Sequence, residues 1–70
     1  NSIAPGFFPT ELSGDYFDTE RGLKTIKKIP LGRIGNLKEL DGALLLLASD
    51  LSSYMTGTEI VVDGGICITN

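Results

Sequence analysis

The chain contains no histidine, and Cys67 is its single cysteine. Without histidine a serine–histidine–aspartate hydrolase is excluded. Without a second thiol there is no internal disulfide and no zinc site of the usual ligand spacing. The longest apolar run, residues 43–48, falls far short of the ~20 residues that span a bilayer. Charge of one sign is also scarce. Nine acidic and six basic side chains give a net charge of -3, which supplies no field to attract nucleic acid. The local basic group Arg21, Lys24, Lys27 and Lys28 lies beside Asp15, Asp18 and Glu20, and reads as a solvated helix face with its own counter-charges. No signal peptide is visible, so a soluble, reducing, cytoplasmic setting is the default expectation.

Length is the remaining scarcity. A single core built from fewer than roughly 70–80 residues seldom supplies more than about 3–5 kcal/mol. The 41% hydrophobic content of these 70 residues suits an ordinary globular interior rather than a disordered tail. With disulfide and metal excluded, oligomerisation or packing on a missing segment is left to complete the core.

Residues 1–4 read as the end of a strand that Pro5-Gly6 terminates, since proline cannot donate to a sheet ladder. Thr10 is placed to cap a short helix before Ser13-Gly14-Asp15 breaks it. A second short helix is expected from about Asp18 to Lys28, with Leu23, Ile26 and the stem of Lys27 on one side. Pro30, Gly32 and Gly35 punctuate a loop. Asn36, with Glu39 three residues on, makes a capping box for a helix from Leu37 to about Ser49. Leu37, Leu40, Leu44 and Leu47 form one stripe, which Ala43, Leu45, Leu46 and Ala48 widen around most of the circumference. Such a helix is buried on two sides, and the second side is expected to meet another chain. Residues 58–63, with Ile60, Val61 and Val62, read as a buried strand ended by Asp63-Gly64-Gly65. The apolar tail 66–70 is long enough to cross to a neighbouring subunit. Helix and strand together look like the last αβ unit of a parallel sheet whose other strands are absent.

Asn1, Ile3, Pro5, Gly6 and Thr10 match the pattern N-x-I-x-P-G-x-V-x-T. Pro30-Leu31-Gly32-Arg33 with Gly35, then Leu47-Ala48-Ser49-Asp50, residues 53–57 and Val62-Asp63-Gly64-Gly65 follow in order. In this arrangement the chain resembles the last third of a short-chain dehydrogenase/reductase, similar to the 3-oxoacyl-carrier-protein reductases and sugar-acid dehydrogenases. The resemblance implies an α/β fold: the C-terminal part of a Rossmann-type doubly wound parallel sheet, with short lid helices, one long helix and one final strand, incomplete on its own. It implies that residues 1–10 form the nicotinamide-side loop of an NAD or NADP site, 11–29 a substrate lid, and 30–70 the last helix, strand and tail. Pro5, Gly6, Phe8 and Thr10 are then the cofactor-binding residues. Phe8 stands where the family has valine or isoleucine, at a position that bonds the nicotinamide carboxamide through its main chain. Leu12, Tyr16 and Phe17 are the apolar lid residues. Helix 37–49 and strand 58–63 would build a homodimer or homotetramer. Arg33 reads as a structural arginine bonding loop carbonyls, or a carboxylate across an interface, in preference to a phosphate ligand. Asp63 reads as structural, and Cys67 as a core or interface thiol.

The family's base is a tyrosine followed four residues on by lysine, whose charge lowers the phenol's pKa. Tyr16 is followed there by Glu20 and Tyr54 by Thr58, so no catalytic residue is assigned. Gly32 with Gly35, and Gly64 with Gly65, lie in the wrong context for a dinucleotide-phosphate fingerprint. No metal ligand is assigned either. The expectation is therefore a portion of an NAD(P)-dependent oxidoreductase acting on a carbonyl or alcohol, inactive by itself. The alternative is a non-catalytic oligomeric fragment or interaction module derived from the enzyme's dimer half.

Overall fold

A computed structural model describes residues 1–68. Strand β1 (Ser2–Pro5) and strand β2 (Glu59–Val62) pair in parallel, with Ser2 opposite Glu59 and Pro5 opposite Val62. The N–H of Ser2 donates to the Thr58 carbonyl and that of Gly6 to Val62, each at 2.9 Å. Pro5 therefore sits in the last strand position, where its missing N–H costs the ladder nothing and Gly6 resumes the bonding. Asn1 closes the other end through its side chain, which donates to the Met55 carbonyl and accepts the Thr58 N–H. The partner of β2 is thus the first segment of the same chain, although the sequence pattern places that partner elsewhere. Parallel pairing demands a long crossover, and the two helices lie within it.

Helix α1 (Glu20–Lys27) starts where the Thr19 hydroxyl accepts the Gly22 N–H at 3.1 Å. The expected helix at Thr10 is absent. Thr10 and Ser13 instead exchange hydrogen bonds, with the Thr10 N–H donating to Ser13 Oγ and the Ser13 N–H to Thr10 Oγ1. This closed pair satisfies the groups that a continuing helix would have used. A 3-10 turn (Tyr16–Asp18) precedes α1 and packs against it. The contact face of α1 is Gly22, which is buried, whereas Leu23 is exposed. The turn backbone comes so close that only a residue without a side chain fits there. A Cβ on Gly22 would overlap the Tyr16 carbonyl oxygen and lie 2.6 Å from Phe17 Cα.

The Asn36–Glu39 capping box forms as expected, but the helix behind it is divided. Leu37–Leu40 is a 3-10 turn and helix α2 proper is Asp41–Leu47. The first turn tightens because Asn36 Oδ1 accepts from the Lys38 N–H while the Asn36 carbonyl accepts from Glu39. Ser49 ends the helix by donating back to the Leu46 carbonyl and capping the Leu51 N–H of the next turn (Asp50–Ser52).

No residue of α2 is buried, and Leu45 is 69% exposed. Among the described residues Ile29, at 3% exposure, is the one buried hydrophobic side chain. The fold measures 44 × 27 × 16 Å, and each helix packs chiefly on the turns beside it instead of on the two-stranded sheet. Without a helix layer laid on the sheet there is no closed core. The two-sided burial expected for the leucine helix is therefore not reached within this chain. The expected tail begins as a 3-10 turn (Ile66–Ile68), and residues 69 and 70 lie outside the described residues. Cys67 is exposed rather than packed in a core. Among the described residues no helix is long and apolar enough to cross a membrane.

Candidate functional site

The sequence at the end of β1 dictates an abrupt change of direction. Pro5 and Gly6 end the strand, and residues 6–10 leave the sheet beside the end of β2. Gly6 lies so near Asp63 that a Cβ there would come within 2.6 Å of Asp63 Cβ and 2.7 Å of its Cα. On the other side the Gly35 N–H donates to the Phe7 carbonyl at 2.8 Å. The Phe8 ring covers Gly35, where an added Cβ would fall 2.6 Å from Phe8 Cζ and 2.7 Å from Cδ1. The loop is thereby held at both ends by glycines whose missing side chains permit the approach.

Phe8 itself is left with free main-chain groups. Among the described residues no hydrogen bond uses its N–H or its carbonyl. One free donor and one free acceptor on a single residue are the group types that a primary amide can pair with. Thr10 adds a hydroxyl that accepts from Ser13 and keeps its own proton to donate. The residues present therefore fit the carboxamide of a nicotinamide, while no phosphate cradle is found among them.

The expected lid residues divide. Phe17 is half-buried and meets Phe7 edge-to-face at 6.1 Å between ring centres, with Tyr16 against it at 5.3 Å. Tyr16 Oη also reaches Thr25 Oγ1 at 3.5 Å. Leu12 stands apart and fully exposed. The 6–10 loop and the 11–29 segment are thus joined through an aromatic cluster in which Phe7, not singled out from the sequence, is the link. A groove of about 160 Å³ beside the loop is walled by Phe7, Phe8, Leu31, Arg33 and Gly64.

Arg33 offers that groove little free charge. Its guanidinium donates twice to Glu39, at 2.7 and 2.9 Å, and once to the Ile34 carbonyl at 3.2 Å. The Arg33 bond, with the Asn36 N–H, holds the Glu39 carboxyl down to about 2. The carboxylate that Arg33 meets is Glu39, in the Leu37–Leu40 turn of the same chain. Glu39 thus serves two donors at once, the helix cap and the arginine. On the other wall the Cys67 thiol and the Gly65 N–H hold the Asp63 carboxyl below the usual carboxylate range, and Asp63 in turn raises the Cys67 thiol. No group of three or more potential metal ligands occurs among the described residues.

Two contacts escape the sequence pattern: Gly22 on the Tyr16–Asp18 turn, and Gly35 under Phe8. A glycine inside a helical pattern, as Gly22 is, was the available signal for the first. Gly35 follows Gly32 in a loop and carries no such signal.

This arrangement of parallel strands, proline-glycine loop and capped last helix defines a class. The chain belongs to the short-chain dehydrogenase/reductase family, and residues 1–67 match the family described as enoyl-(acyl carrier protein) reductase. The NADP-dependent mannitol dehydrogenase of Hypocrea jecorina is 51% identical over 65 residues, covering 93% of this chain and 24% of that protein. The sorbose reductase of Schizosaccharomyces pombe is 49% identical over 67 residues, covering 96% and 26%. Among solved structures, a gluconate 5-dehydrogenase from Burkholderia cenocepacia, in complex with NADP and tartrate, superposes with a TM-score of 0.87 at 38% identity, covering 97% of this chain and 27% of that one. The chain spans about a quarter of the length of these relatives.

Proposed function

We propose that residues 1–70 are the C-terminal portion of an NAD(P)-dependent oxidoreductase that moves a hydride between the nicotinamide and a carbonyl or alcohol substrate. The observation that carries this reading is the free donor–acceptor pair on Phe8, held beside Gly6 and Thr10 at the end of a parallel strand. When bound, the nicotinamide supplies or accepts the hydride. Pro5 and Gly6 aim the loop, the Phe8 main chain grips the carboxamide, and the Thr10 hydroxyl donates to the carboxamide or to a pyrophosphate oxygen. Residues 1–10 are the nicotinamide-side loop, 11–29 the substrate lid, and 30–70 the last helix, strand and tail. Tyr16 and Phe17 give the lid an apolar inner wall, and closure over a substrate excludes water from the reacting carbon.

Mannitol, sorbose and gluconate figure in the names of the similar proteins, which supports a polyol, ketose or sugar acid as substrate. The proton-transferring tyrosine and the phosphate-binding glycines belong to residues outside these 70, so the chain alone has no turnover. The exposed leucines of α2 favour assembly as a homodimer or homotetramer through residues 37–49 and 58–63.

The test is expression of the full-length protein and assay of NADPH and NADH oxidation with fructose, sorbose and 5-ketogluconate. Turnover is expected with at least one ketone. In that protein Thr10→Val should raise the cofactor Kd several-fold, as the loss of one hydrogen bond of about 1 kcal/mol requires. A folded protein that binds neither dinucleotide would overturn the reading.

A further inference from the structure

The turn at residues 63–65 touches both the loop and the lid. Gly6 packs closely on Asp63, where an added Cβ would stand 2.6 Å from the Asp63 Cβ and 2.7 Å from its Cα. From the other side, the Leu31 N–H donates to the Gly64 carbonyl at 3.2 Å. An added Cβ on Gly64 would stand 2.8 Å from Ile29 Cγ2, and one on Gly65 3.0 Å from Pro30 Cγ. Ile29 is also the one buried hydrophobic side chain among the described residues, at the point where the 11–29 segment ends. Gly64 and Gly65 both take positive φ, 67° and 95°, which glycine reaches as readily as negative φ, so the shape of the turn has to be fixed from outside its own backbone.

What fixes it is the Asp63 side chain. One carboxylate oxygen accepts the Gly65 N–H at 2.8 Å and the other the Cys67 N–H at 3.1 Å. Hydrogen bonds to an ionised acceptor are roughly twice as strong as neutral ones. The carboxylate thus locks the turn on which loop and lid both rest.

We infer that Asp63 is a positioning residue, which sets the nicotinamide-side loop and the closing end of the substrate lid through one shared turn. This rests on the cofactor reading proposed above. In this role Asp63 acts on cofactor and substrate through its neighbours. Its effect on them is transmitted by Gly6 to the Phe8 main chain, and by Gly64 and Gly65 to Ile29 and Pro30.

The test compares Asp63→Asn and Asp63→Ala with the unaltered full-length protein. The amide of Asp63→Asn keeps one acceptor and loses the second, so its effect should be the milder. Binding is measured for the preferred reduced dinucleotide and for the corresponding ADP-ribose, which lacks nicotinamide. Asp63→Asn should raise the dinucleotide Kd by roughly tenfold and raise the KM for the ketone as well. Binding of ADP-ribose should change by less than about twofold, since the loop acts on the nicotinamide alone. Parallel weakening of both ligands would mean that Asp63 merely holds the fold, and would overturn the inference. An unchanged dinucleotide Kd would do the same. Should Asp63→Ala not fold, Asp63→Asn decides. Failure of the unaltered protein to bind any dinucleotide would sink the cofactor reading as well, whereas binding that Asp63→Asn leaves intact would sink only the positioning role.

Discussion

Replacing Gly22 by alanine sets two effects of opposite sign against each other. Helix propensity favours alanine over glycine by about 0.8–1.0 kcal/mol in a helix interior. The structure opposes it, because the new Cβ would overlap the Tyr16 carbonyl oxygen and stand 2.6 Å from Phe17 Cα. Both atoms are backbone, so no rotamer change relieves the clash. Overpacking of this kind costs about 1–3 kcal/mol. Pushing α1 off the turn also weakens the Phe7–Phe17 edge contact, worth about 0.5–1.5 kcal/mol. The net is a destabilisation of about 1–3 kcal/mol, despite the gain in propensity. Gly42 provides the control, since it lies in α2 with nothing within 4 Å of an added Cβ. Gly42→Ala should therefore stabilise α2, by at most the interior propensity difference of about 1 kcal/mol, since Gly42 lies in the first turn. Amide hydrogen exchange resolves the two helices separately: protection should fall across α1 in Gly22→Ala and rise across α2 in Gly42→Ala. Equal gains in protection for the two variants would refute the packing argument.

Glu39 titrates at about 2 when folded, against an ordinary 4.5, so its contribution to stability is whole above the unfolded value and fades as pH falls through about 2. Carboxyl NMR should find that depressed midpoint and see it climb back toward 4.5 in Arg33→Gln; a midpoint at the ordinary value in the unaltered protein would contradict the bidentate geometry. On the assembly proposed through α2, Leu45→Glu should lower the mass of the full-length protein in solution, because each leucine buried at an interface contributes about 1.5–3 kcal/mol. Light scattering that reports an unchanged mass would exclude α2 from the interface.

The elements that local chemistry specifies were legible in the sequence. The Asn36–Glu39 box, the β-branched strand ending in Asp-Gly-Gly, and the Pro5-Gly6 exit from β1 each carry their signal within a few residues. The register of β1 on β2 was not legible, because two four-residue strands at opposite ends of the chain announce no partner. Nor was the tightening of residues 37–40 into a 3-10 turn, since the same capping box serves either helix type. Gly6, Phe8 and Thr10 follow Pro5, the last residue of β1, whereas Leu12, grouped with Tyr16 and Phe17 by its apolar character, is fully exposed. Apolar character alone does not say which side of a loop a residue faces. The seats at Gly22, Gly35 and Asp63 depend on approaches between distant segments, and spacing along the chain does not encode them.

The pairing of β1 with β2 also has a consequence in time. Asn1 and Thr58, which hydrogen-bond to each other, are 57 positions apart. At about 5–20 residues per second, a ribosome needs roughly 3–11 s to make the second after the first. Throughout that interval β1 has no β2 to pair with, and Gly6 has no Asp63 to rest against. The loop that we assign to the nicotinamide is therefore among the first parts of this segment to be synthesised, yet it takes its shape only when the last strand arrives.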